Sequence, residues 1–129
     1  MVCYETDKPR YGNAQDAQML YALDDALVQA HADDGVAAIV LGAAGKHFSS
    51  GHEIGTPRRD SAEPAPRRAS LRPDHVGRPG AEAAYVREYE LYLRLCPHWR
   101  AGPEPIVAAV QGPCIAGVTT QDIAGKSHV

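Results

Sequence analysis

Val36-Ala37-Ala38-Ile39-Val40-Leu41 is a continuous apolar run, and it leads straight into Gly42-Ala43-Ala44-Gly45-Lys46-His47-Phe48-Ser49-Ser50-Gly51-His52-Glu53-Ile54-Gly55, a loop rich in small residues. The length and β-branching of the run predict a strand buried on both faces, as parallel strands are. Upstream, Asn13 fits a helix N-cap, with Asp16 in the first turn to favour the macrodipole. Over residues 14–33, Met19, Leu23, Ala26, Leu27 and Ala30 recur at i, i+4, i+7, i+8 and i+11. That spacing describes one helical face, and Gly35 stops the helix. A helix followed by a buried strand is the grammar of an α/β fold. Val2–Thr6 reads as a short strand ahead of a loop over residues 8–12.

Downstream the composition shifts. Residues 56–79 hold five prolines and six arginines against three acids and read as a mobile loop, too long for an ordinary connection. Residues 81–96 return to helical spacing, with Tyr85, Tyr89, Tyr92, Leu93 and Cys96 on one face, which predicts core packing. Pro97 is expected to bend or end that helix. Pro105-Ile106-Val107-Ala108-Ala109-Val110 reads as a second buried strand, Gly112-Pro113 forces a turn, and residues 118–129 are polar without a clean period.

At 129 residues and 13.8 kDa the chain is one domain. A composition of 44% apolar and 22% charged residues argues against wholesale disorder. A net charge of −3 argues against a nucleic-acid binder of the histone-like kind. The longest apolar run falls far short of the roughly 20 residues a membrane span needs, and no secretory signal opens the chain. Cys3, Cys96 and Cys114 stand far apart, which predicts reduced thiols and a cytoplasmic location.

Several motifs fail on inspection. Gly42-Ala43-Ala44-Gly45-Lys46 has the wrong spacing for a phosphate loop, and His47 stands where a Ser or Thr should follow the lysine. Gly125-Lys126-Ser127 ends such a motif correctly, but Thr120 replaces its first glycine. His47, His52 and Glu53 do not make the HExxH pattern, so no metal is expected. No GxSxG elbow surrounds Ser49 or Ser50.

Two features survive. Each apolar strand runs into a turn containing glycine, Leu41 towards Phe48-Ser49-Ser50-Gly51-His52-Glu53-Ile54 and Val110 into Gln111-Gly112-Pro113-Cys114-Ile115-Ala116-Gly117. Glycines let backbone N–H groups approach a ligand closely. Two such turns at the ends of neighbouring strands can aim two donors at one oxygen, an oxyanion hole suited to a carbonyl that gains negative charge. Read by themselves, they fit plain tight turns better, since glycine turns are common.

The chain resembles the crotonase family, also called enoyl-CoA hydratase/isomerase. Asn13-Ala14 before an amphipathic helix is similar to the family's "NA" helix start. Residues 36–45 followed by Phe48-Ser49-Ser50-Gly51-His52-Glu53-Ile54 are similar to its "IVLTGxGxxFSAGxDL" stretch. Residues 105–117 are similar to "KPVIAAVxGxAxGGG". The resemblance implies an α/β fold, a crotonase-like β-β-α spiral that looks truncated, with residues 1–117 as its N-terminal part and 118–129 as a divergent tail. It implies acyl-CoA thioester substrates, with coenzyme A as part of the substrate and no other cofactor, and a shared mechanism that stabilises a thioester enolate. The oxyanion donors carried over are the backbone N–H groups of His52 and Gly117. Ser50 and Gly51 lie beside the substrate, Arg58 and Arg59 either meet the CoA phosphates or stand as solvated charges on a disordered loop, and Glu53 is the one carboxylate adjacent to the hole. Homo-oligomers, trimeric in the family, or association with full-length paralogues are the implied partners.

Departures from the pattern are as definite. The water-activating glutamate expected three residues after Gly117 is Thr120, Val118 replaces the family's third glycine, and the unit that would carry the second glutamate does not follow. A match that stops within one residue suggests truncation or a frame change, leaving three expectations: a hydratase-like enzyme, a non-catalytic acyl-CoA-binding or paralogue-docking module, or an inactive fragment. Ile39 and Val107 are expected to lack a covering layer, so that the chain is marginally stable or associates.

Overall fold

The computed structural model describes residues 1–53 and 80–115. Three parallel strands, β1 (Val2–Thr6), β2 (Ile39–Ala43) and β3 (Ile106–Ala108), form one sheet in the order β1-β2-β3. Val2 pairs with Ile39 and Tyr4 with Leu41 on one side of β2, and Ile39 pairs with Ile106 on the other. Helix α1 (Ala17–His31) connects β1 to β2. Before β3 come α2 (Ala81–Glu88), a π-helical turn (Tyr89–Leu93) and α3 (Leu95–Arg100). The predicted α/β alternation and parallel sheet are both present. The basic segment 56–79 and the tail 118–129 lie outside the described residues.

Burial on α1 follows a different stripe from the one the apolar spacing predicts. Ala17, Leu20, Tyr21, Asp24, Leu27 and Ala30 are buried, while Met19, Leu23 and Ala26 are only half-buried. Asp24 obscures the true stripe in the sequence. A carboxylate is tolerated there because its Oδ1 accepts from Trp99 Nε1 at 2.9 Å and contacts His98 Nδ1 at 3.0 Å. Leu91, Leu95 and Trp99 close over this face and over Ile39, making the main core. Ile39 is therefore fully covered, contrary to expectation. Met19, Ala22, Leu23 and Ala26 instead border a groove of about 320 Å³ beside β1.

The helix does not begin at Asn13. Asp16 is the N-cap, its side chain accepting the Met19 N–H at 2.8 Å. Asn13 has φ +55° and serves as a cross-link. The residue before β2 also shifts: Val36 sits in a turn whose N–H bonds the Asp33 carbonyl, and the strand begins three residues later. Ile39, Leu41 and Ala43 are buried and the alternate residues half-buried, so β2 is fully covered on one face only.

The predicted helix over 81–96 is three pieces. The π turn inserts an extra residue, with the Arg94 N–H bonded to the Tyr89 carbonyl at 2.9 Å. That insertion changes the helical phase. Val86, Glu90, Leu91, Leu95 and Trp99 become the buried residues, and Tyr85 (57% exposed) and Leu93 (62%) face out. Pro97 lies in the first turn of α3, where a missing N–H costs little, and does not terminate it. β3 is a three-residue edge strand rather than a buried one, with Val107 54% exposed.

Candidate active site

The two glycine turns meet. Ser49 and Cys114 form a parallel bridge beyond the ends of β2 and β3. The Phe48 N–H donates to the Pro113 carbonyl at 2.9 Å, and the Ile115 N–H donates to the Ser49 carbonyl at 2.8 Å. Gly112 makes this approach possible. Its φ is +64°, and a Cβ there would stand 2.1 Å from the Lys46 carbonyl oxygen. Only glycine fits on both counts.

After Ser49 the chain turns at Gly51, with φ +87°. The Gly51 N–H donates to Ser49 Oγ at 3.1 Å, and its carbonyl accepts the Gln15 N–H at 2.8 Å. The Glu53 N–H donates to the Gln15 carbonyl at 3.0 Å. His52 thus forms a parallel bridge with Gln15, made entirely by its two neighbours. In such a pairing the N–H of the central residue faces away from the partner strand, so the His52 amide points away from Gln15.

A second set of contacts fixes this loop. Gln15, itself buried, donates from Nε2 to Ser49 Oγ at 3.2 Å. Buried Asn13 donates from Nδ2 to the Ala44 carbonyl at 2.8 Å and the His47 carbonyl at 2.7 Å, and its Oδ1 accepts the Lys8 N–H at 2.8 Å. Its left-handed backbone suits asparagine better than most residues. The His52 ring lies against Tyr92, with centroids 3.5 Å apart and planes inclined at 33°. The Tyr92 hydroxyl donates to the Gln15 carbonyl at 3.2 Å.

Of the sequence-predicted residues, Ser50, Gly51, His52 and Glu53 are brought together in this loop. Ser50 is exposed and anchored to the preceding turn, its N–H donating to the Gly12 carbonyl at 2.9 Å and its hydroxyl to the Tyr11 carbonyl at 3.2 Å. Glu53 is half-buried beside His52. Gly117, Arg58 and Arg59 lie outside the described residues. Sequence reasoning missed Gln15 altogether and took Tyr92 for a core residue. Among the described residues no group of three or more His, Cys, Asp or Glu side chains is arranged to hold a metal, and no helix is long and apolar enough to cross a membrane.

No family model matches the chain. Known proteins do. The chain is 33% identical over 113 residues to a Mycobacterium tuberculosis protein provisionally named enoyl-CoA hydratase EchA13, covering 85% of this chain and 35% of that one. It is 34% identical over 109 residues to an enoyl-CoA hydratase, also provisionally named, of Thermus thermophilus, with coverage of 84% and 36%. Among solved structures, an enoyl-CoA hydratase/isomerase from Xanthobacter autotrophicus Py2 superposes with a TM-score of 0.68 at 28% identity, over 90% of this chain and 37% of the other. The chain is a crotonase-family sequence, matching that family's N-terminal portion.

The described sheet and its helices are accordingly part of a crotonase fold. The chain spans about a third of the length of the curated crotonase relatives it matches. Within that third the loop from Phe48 to Glu53 and the turn from Gln111 to Ile115 stand side by side.

Proposed function

We propose that this protein binds an acyl-CoA thioester and stabilises negative charge on its carbonyl oxygen, as an enoyl-CoA hydratase-like member of its family. The donors are the backbone N–H groups of His52 and Gly117. The observation that carries the reading is the Ser49–Cys114 bridge. Ser49 precedes His52 by three residues, and Cys114 precedes Gly117 by three. Two short stretches leave one tie point, and three residues span at most about 11 Å. Each such donor is worth about 3–4 kcal/mol of barrier stabilisation where charge develops.

In this reading Ser50 and Gly51 border the acyl group, and Glu53 is the carboxylate placed to exchange a proton with substrate or water. Arg58 and Arg59 pair with the anionic phosphates of coenzyme A. Thr120 cannot take a proton from water at neutral pH, so hydration is expected to be slow. A second reading is favoured by one specific observation. Val107, Val110 and Ile115 are each more than half exposed along the β3 side of the sheet, a surface suited to docking on a full-length paralogue or another copy.

The test is a thermal shift with crotonyl-CoA, run beside an assay of its hydration. A raised melting temperature with slow turnover is the expected result. A raised melting temperature without turnover supports the binding and docking reading. Absence of both signals rejects acyl-CoA as the ligand.

A further inference from the structure

If the His52 N–H is the oxyanion donor proposed above, its direction needs fixing, because glycine precedes it. Gly51 adopts φ +87° and has no side chain to hold that turn. Donors of this kind act only when held within about 0.5 Å and 10–20° of the productive geometry. The backbone bonds to Gln15 set the height of the loop. The Gly51 carbonyl belongs to the same planar peptide as the His52 N–H and accepts the Gln15 N–H at 2.8 Å, so the direction of that amide follows the position of Gln15.

We infer that Tyr92 is the positioning residue for this amide. It grips the loop at two points. Its ring lies against the His52 imidazole at 3.5 Å, and its hydroxyl donates at 3.2 Å to the Gln15 carbonyl, the same oxygen that accepts the Glu53 N–H at 3.0 Å. One side chain therefore contacts both strands of the Gln15–His52 bridge. The local structure delivers it. The π turn Tyr89–Leu93 widens the helix by one residue, keeps Glu90 and Leu91 in the core, and presents Tyr92 half-buried on the flank facing the loop. Val86 and Leu91 are five residues apart and both buried, a spacing that the π turn brings onto one face. Single π turns recur beside functional sites, where they re-aim one side chain. The Cys96 thiol donates to the Tyr92 carbonyl at 3.0 Å, so the turn is also tied from its C-terminal side.

The experiment compares wild type, Tyr92→Phe and Tyr92→Leu in the full chain with two measurements. The first is amide hydrogen exchange. In Tyr92→Leu the Glu53 and Gln15 amides are expected to exchange about tenfold faster, the Leu27 amide in α1 is expected to be unchanged, and Tyr92→Phe, which keeps the ring, is expected to fall between. The second is the near-ultraviolet enolate absorbance of bound acetoacetyl-CoA. Tyr92→Leu is expected to lower the bound enolate fraction about tenfold while leaving the concentration of CoA needed for half-saturation unchanged, and Tyr92→Phe is expected to restore most of the band. Unchanged exchange at Glu53 and Gln15 overturns the inference. So does faster exchange spread equally to Leu27, or an enolate band that Tyr92→Leu leaves intact. Absence of the band in wild type rejects the proposed function instead, and the hold of Tyr92 on the loop is then decided by exchange alone.

Discussion

The Ser49 carbonyl accepts the Ile115 N–H at 2.8 Å, joining two segments 66 residues apart in sequence. Around that bond the Ser49 hydroxyl collects two more donors, Gln15 Nε2 at 3.2 Å and the Gly51 N–H at 3.1 Å, all of it buried. Ser49→Ala would leave both donors without that acceptor. The expected cost is about 1–3 kcal/mol, read as a lower midpoint in urea unfolding. A midpoint unchanged from wild type would show that the loop is held elsewhere.

Gly112 is the second pivot of the same arrangement. Alanine there meets a left-handed φ of +64° and a Cβ contact of 2.1 Å with the Lys46 carbonyl. Gly112→Ala is expected to destabilise by about 2 kcal/mol or more, and to separate the two turns. Loss of protection at the Phe48 and Ile115 amides in hydrogen exchange would report that separation directly. Gly80, where a Cβ meets nothing within 4 Å, is the internal control, although its own φ of +110° carries some strain.

Asp24 holds the helices over the sheet. Asp24→Ala strands the buried Trp99 N–H, at an expected cost of about 1–3 kcal/mol. Trp99 is the sole tryptophan, so its fluorescence follows unfolding without interference. In a double-mutant cycle followed by far-ultraviolet circular dichroism, since Trp99→Phe removes the fluorophore, Asp24→Ala and Trp99→Phe should couple, because the two side chains share one bond. Strict additivity would mean that the bond contributes nothing.

These residues also mark what the sequence could and could not disclose. The strand Val2–Thr6, the parallel β2 and the glycine turns were legible because they depend on local composition: β-branched runs, and glycines where a backbone must turn or be approached. The buried face of α1 was not, because its centre is Asp24, whose acceptability depends on Trp99 and His98 some seventy positions away. The π turn was invisible to periodicity for a simpler reason. One extra residue shifts the phase, so Tyr85 and Leu93 continue a stripe that the real helix has abandoned. Asn13 was recognised as special but assigned a capping role, since its bonds to Ala44 and His47 are long-range.

The β3 edge carries a prediction about association. Val107 on β3, and Val110 and Ile115 beyond its end, are 54%, 52% and 59% exposed, and among the described residues no strand pairs with the outer edge of β3. Apolar open edges recruit partners. Sedimentation is expected to show concentration-dependent self-association, and Val107→Lys should shift it towards monomer with little effect on stability. A chain that stays monomeric at all concentrations would remove the docking reading.

In the proposed function two backbone amides, those of His52 and Gly117, share one thioester oxygen. Isotope-edited infrared spectroscopy of a bound 2-enoyl-CoA carrying ¹³C at the thioester carbonyl measures that oxygen directly. The C=O stretch is expected to move to lower frequency on binding, because two donors polarise the bond. A ligand that binds with its carbonyl at the free-solution frequency would contradict it.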